Sequence, residues 1–129
     1  MIFHILKKSD WEEALRRGEY QPGSLATEGF VHASTREQIL GTANRFFRGQ
    51  RELVLLCINP QRLTAEVRFE APADPNDERT RELFPHIYGP INLDAATQVL
   101  DLPDDSQGGF QLPEALGACV QEANRNAEE

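Results

Sequence analysis

Cysteine, basic side chains and long apolar runs are all in short supply in this chain. Of 129 residues two are cysteines, Cys57 inside the apolar stretch Leu53 to Ile58 and Cys119 in a polar C-terminal stretch. Two cysteines so placed exclude a disulfide framework and a cysteine metal knuckle. Lys and Arg number 13 against 21 Asp and Glu, a net charge of −8. Such a surface repels polyphosphate and argues against nucleic acid as a partner. Much of the acidity sits in Ala73 to Glu82 and at Glu128-Glu129, so a basic pocket elsewhere is compatible with it. No apolar run reaches the length of a membrane span, and MIFHILKKSD has no basic region ahead of its apolar residues, as a signal peptide would. A cytoplasmic location without a membrane partner is expected.

What is present is enough apolar residue, 40% of the chain, for one ordinary core. The expected organisation is a globular domain over residues 1–113 and a frayed or helical tail over 114–129. Ile2 to Leu6 reads as an opening strand. Ser9 with Glu12 forms a capping-box pattern ahead of a helix that carries Trp11, Ala14 and Leu15 on one face and ends at Gly18. A second short strand falls at Phe30 to Ala33. Ser34 and Thr35 then cap a helix with Ile39, Leu40, Ala43 and Phe47 on its inner side. Leu53 to Ile58, apolar throughout, reads as a central strand. Ala65, Val67 and Phe69 alternate with Glu66, Arg68 and Glu70, the pattern of a half-buried strand. Ala71 to Glu82 has prolines and charges without periodicity and reads as an exposed, mobile loop. Strands outnumber helices and the two main helices come early, which predicts an α+β class with a compact mixed or antiparallel split β-sheet.

The three histidines all fall at element edges inside short apolar strings, FHIL, GFVHAST and FPHIYGP. An imidazole donates at one nitrogen and accepts at the other near neutral pH, so His4, His32 and His86 on neighbouring strands form a candidate catalytic or polar-ligand site. The competing interpretation is that each is a buried ring satisfied by backbone. Ser34 and Thr35 offer hydroxyls and helix N–H groups to an anion, or simply cap the helix. Arg45 offers a forked donor for phosphate or carboxylate, or pairs with the acidic surface. Tyr88 offers a ring for stacking on a ligand, or packs beside Gly89-Pro90.

The strings IFHIL, GEYQPGSL, EGFVHASTREQILGTANRFFRG, LVLLCI and FPHIYGPINLDAATQVL resemble the successive motifs of the bacterial family known as domain of unknown function 952. They extend from Met1 to about Pro113. The resemblance implies an ADP-ribosyltransferase-like fold, in which a histidine on the first strand holds a ribose of NAD. His4 matches that position. An aromatic before a helix stacks on nicotinamide, near His32, and a later motif, near His86 or Tyr88, often carries a glutamate. The string FPHIYGPIN has no carboxylate. Its absence predicts that NAD binds without rapid turnover.

The leading expectation is thus a His-lined pocket for NAD or an ADP-ribose-like nucleotide, with a transferase or hydrolase reaction. Three alternatives stand beside it: an enzyme like the RNA 2′-phosphotransferases, a non-catalytic binding or interaction module, and a three-histidine metal site. The first expectation for the structure is that His4, His32 and His86 converge on one concave site.

Overall fold

The structure, a computed structural model, describes residues 1–104 and 107–115. The strand Leu53–Ile58 (β4) is buried at all six positions, and a strand of that kind must be covered on both faces. It lies between Ile2–Lys7 (β1) and Ala96–Leu102 (β8), antiparallel to both. Alternation divides the side chains of this sheet between two cores. Ile2, Leu6, Val54, Leu56 and Ile58 join Val31, Ile87 and Ile91 on one side. Phe3, Ile5, Leu53, Leu55 and Cys57 pack on Ile39 and Ala43 of the helix Arg36–Phe46 (α3) on the other.

A second antiparallel sheet has Phe84–Tyr88 (β6) at its centre, flanked by Val31–His32 (β3) and Glu66–Glu70 (β5). Its register sets Val31 opposite Ile87, and His32 and Arg68 opposite His86. One face of this sheet is therefore core and the other carries chemistry. A two-stranded ribbon, Glu19–Tyr20 (β2) with Ile91–Asn92 (β7), adds Tyr20 and Ile91 to the first core. Phe3 and Ser34 exchange backbone hydrogen bonds of 2.8 Å, fastening β1 to the chain that leaves β3. The architecture is α+β, and every strand pair among the described residues is antiparallel, not mixed.

Several local expectations change. The first helix, Lys8–Arg17 (α1), starts before Ser9, with no side-chain cap. Its first N–H is taken by the Glu52 carbonyl at 2.8 Å, so the incoming β4 chain does the work assigned to the Ser9 hydroxyl. Gly18 ends the helix as expected, left-handed at φ 87° with its N–H on the Ala14 carbonyl. Leu15 is 54% exposed, since Trp11 and Ala14 make the core contact of this short helix. A four-residue helix, Ser24–Thr27 (α2), precedes β3. Phe69 is 53% exposed because β5 is an edge strand whose end runs past the core, while Val67 packs inward. The tail expected over 114–129 lies, beyond Ala115, outside the described residues.

Gly89 lets β6 turn toward β7 hard against Ala65: a Cβ there would stand 2.9 Å from the Ala65 Cβ. Gly89→Ala should cost about 1–3 kcal/mol of overpacking strain, read as a lower urea midpoint at unchanged m-value. An unchanged midpoint would contradict the close approach.

Candidate functional site

Between α3, the second sheet and the segment 72–79 lies a cavity of about 570 Å³. His4, His32 and His86 all line it, together with Ser34, Thr42 and Arg79. The three rings are thus brought to one concavity, from β1, β3 and β6. They arrive in different chemical states.

His4 is occupied on both edges. Its Nδ1–H donates to the His32 carbonyl at 2.5 Å, which leaves Nε2 to accept from the Tyr20 hydroxyl at 3.1 Å. Burial pushes its pKa down to about 4, only partly opposed by the hydrogen bond to His32, so the ring is neutral at physiological pH. Burial likewise raises the Tyr20 phenol, which stays protonated as the donor. His4 consequently locks β3 to β1 and has no vacant nitrogen for a ligand in this arrangement.

His86 is 3% exposed, and its Nδ1–H donates to Glu70 Oε1 at 2.9 Å. Its ring stacks on Phe30 with centroids 4.1 Å apart and planes at 17°. Nε2 has no protein partner among the described residues. His32 is exposed, 2.7 Å from Glu28 Oε2 through Nε2, and edge-on to both Phe30 and His86.

The carboxylate missing from FPHIYGPIN comes from the neighbouring strand. Glu70 Oε1 accepts from both His86 Nδ1 and the Tyr88 hydroxyl, and these donors hold its carboxyl below the usual range. The alternation makes Glu66, Arg68 and Glu70 the polar side of a half-buried strand. Once β5 pairs with β6 that face is shared with His86 and Tyr88, which is the signal that the strand pattern held and the sequence alone could not align. Glu70 lies outside the cavity lining, in contact with His86 and not with the space a ligand would fill.

The remaining candidates divide. Ser34 is buried, and its hydroxyl lies 2.9 Å from that of Thr42 at the cavity wall. Thr35 and Gln38 form the capping box of α3, with the Thr35 N–H on Gln38 Oε1 at 3.0 Å, so Thr35 is a cap and does not line the cavity. Arg45 is also absent from the lining: it donates to the Asn76 carbonyl and lies 3.8 Å from both Asp74 and Asp77. The cation in the cavity is Arg79, which composition had placed in a free loop. Its guanidinium holds Asp77 through 2.8 and 3.0 Å bonds, reaches Thr42 at 3.0 Å and covers the Phe84 ring. The segment is a loop exposed at Ala73, Pro75, Asn76 and Glu78, as expected, and it is tethered to α3 through Asp77 and Arg79. Tyr88, off the cavity, lies under the Arg68 guanidinium.

Among the described residues no three His, Cys, Asp or Glu side chains are arranged to hold a metal ion, and the engagement of both His4 nitrogens removes the three-histidine site. No helix among them is long and apolar enough to cross a membrane.

Comparison with known proteins agrees with this architecture. Residues 5–99 match the family described as "Protein of unknown function (DUF952)", and the chain belongs to that family. A crystal structure of protein CC0527 from Caulobacter crescentus superposes with a TM-score of 0.75 at 30% identity, covering 92% of this chain and 97% of that one. The solution NMR structure of CC0527 gives 0.72 at 34% identity, over 86% and 91%. No curated protein matches the chain.

Proposed function

We propose that the cavity binds a nucleotide of the NAD or ADP-ribose class, in an ADP-ribosyltransferase-like setting, and supports a hydrolase or transferase reaction. One observation carries this reading: the rings of His32 and His86, from two strands, and the hydroxyls of Ser34 and Thr42 line one cavity whose volume suits a ligand of that size. Phe46, Phe47 and Phe84 supply apolar wall for a base, and Arg79 a cation for phosphate. The antiparallel sheets, with a histidine on the first strand, are compatible with the fold that the family resemblance implies. Titration calorimetry with NAD, ADP-ribose and AMP tests it. Binding is expected for at least NAD, about tenfold weaker in His86→Ala through the loss of one ligand hydrogen bond, and unaltered in the exposed-site control Arg16→Ala. Heats equal to dilution for all three nucleotides would end this reading.

A further inference from the structure

We infer that His86 is the acid–base group of the cavity and Glu70 its positioning residue; the substrate class rests on the nucleotide reading above, the pairing on geometry. Three facts define the pair. The ring faces the cavity, whereas Glu70 stands behind it and does not line the space. Glu70 accepts from Nδ1–H, which leaves Nε2, on a ring that lines the cavity, without a protein partner among the described residues. Phe30 stacks on one face of the ring, and the Tyr88 hydroxyl pins the same carboxylate oxygen, so neither partner is free to turn.

An imidazole held by a carboxylate at one nitrogen and without a protein partner at the other is suited to take a proton from a nucleophile. With NAD bound, a water molecule bonds through oxygen to C1′ of the nicotinamide ribose and its proton passes to Nε2. The bond from C1′ to the ring nitrogen breaks, its electron pair leaving with neutral nicotinamide, and Nε2 releases the proton to solvent. Glu70 contributes by keeping the tautomer and stabilising the imidazolium formed in transit. His4 cannot substitute, having both nitrogens engaged. His32 is solvent-exposed and turned to Glu28.

The test combines nicotinamide release from NAD, calorimetry, and long-range 1H–15N correlation of the imidazole in the intact chain. His86→Asn places an amide N–H where Nδ1–H was, keeping the Glu70 bond while removing the base. It should lower kcat about a hundredfold or more, with partial rescue by added imidazole. Glu70→Ala should lower kcat about tenfold with KM within about twofold, and move the neutral ring away from the Nδ1–H form. Near-UV circular dichroism of each variant confirms folding. NAD bound by the wild type without nicotinamide release above the spontaneous rate, or His86→Asn turning over like wild type, would overturn the inference and leave the nucleotide reading intact. Absence of NAD heats would instead defeat the nucleotide reading, and the pair would then be decided by the tautomer: an Nδ1–H ring supports it and an Nε2–H ring overturns it.

Discussion

Acidification from pH 6.5 to 4 should lower the unfolding free energy by up to about 3 kcal/mol through His4 alone. In the folded chain burial drives this pKa from the ordinary 6.5 to about 4. Between those values the unfolded chain binds a proton that the folded ring refuses. Its contribution to stability is therefore complete above about 6.5, is lost as pH falls through the window, and levels off below about 4. Protonation would also convert Nε2 from an acceptor into a second donor facing the Tyr20 hydroxyl, breaking the fixed orientation of that bond. Urea unfolding at pH 7, 5.5 and 4 reads the effect. His4→Gln retains an amide donor for the His32 carbonyl and does not titrate, so it should be less stable at pH 7 yet flatter across the window. His32 and His86 are present in both proteins and cancel in the difference. Equal slopes for wild type and variant would refute the assignment to His4.

The histidines were legible because each breaks an apolar string, and a polar group inside a strand that is otherwise core needs a partner. That logic found the three rings but could not assign the partners of His4 and His86, which come from 16 to 28 residues away. Glu70 illustrates the gap. Strand alternation correctly separated it from Val67 but could not say whether the polar face met solvent or another polar face, since that depends on which strand pairs with β5. The central strand Leu53–Ile58 was readable because an unbroken apolar run has few other solutions, and the capping box at Thr35 because it is local. The start of α1 failed for the opposite reason: the group that satisfies its first N–H lies 44 residues downstream, at Glu52. Composition marked 71–82 as an exposed loop, which it is, but could not show its tether. Charge density there signals ionic tethering to α3 as readily as solvation, and only the position of Arg79 against Asp77, Thr42 and Phe84 separates the two.

That tether carries the second large effect. The Asp77 carboxylate is 3% exposed and takes three hydrogen bonds from Arg79, from the backbone N–H, Nε and a terminal nitrogen, with Arg45 3.8 Å away. Asp77→Ala would leave the Arg79 guanidinium, itself four-fifths buried, with Thr42 and the Gln38 carbonyl as hydrogen-bond partners and the Phe84 ring beneath it. Stranding a partly buried charge costs more than the pair contributes, and a loss of about 2–4 kcal/mol is expected. The double variant Asp77→Leu with Arg79→Met, which removes both charges and keeps apolar cover over Phe84, should regain most of that loss. The titration of the pair separates from that of His4: Arg79 pulls the Asp77 carboxyl from 3.8 to about 2, so its contribution is complete above about 3.8 and is lost as pH falls toward 2, below the window in which His4 acts. Because Asp77 and Arg79 wall the cavity, Asp77→Ala should also weaken NAD binding while leaving the His86 tautomer unchanged, since Glu70 reaches that ring from β5 and not from the tether. A single variant as stable as wild type, or a double variant no better than the single, would show that residues 72–79 are held by something other than this ion pair.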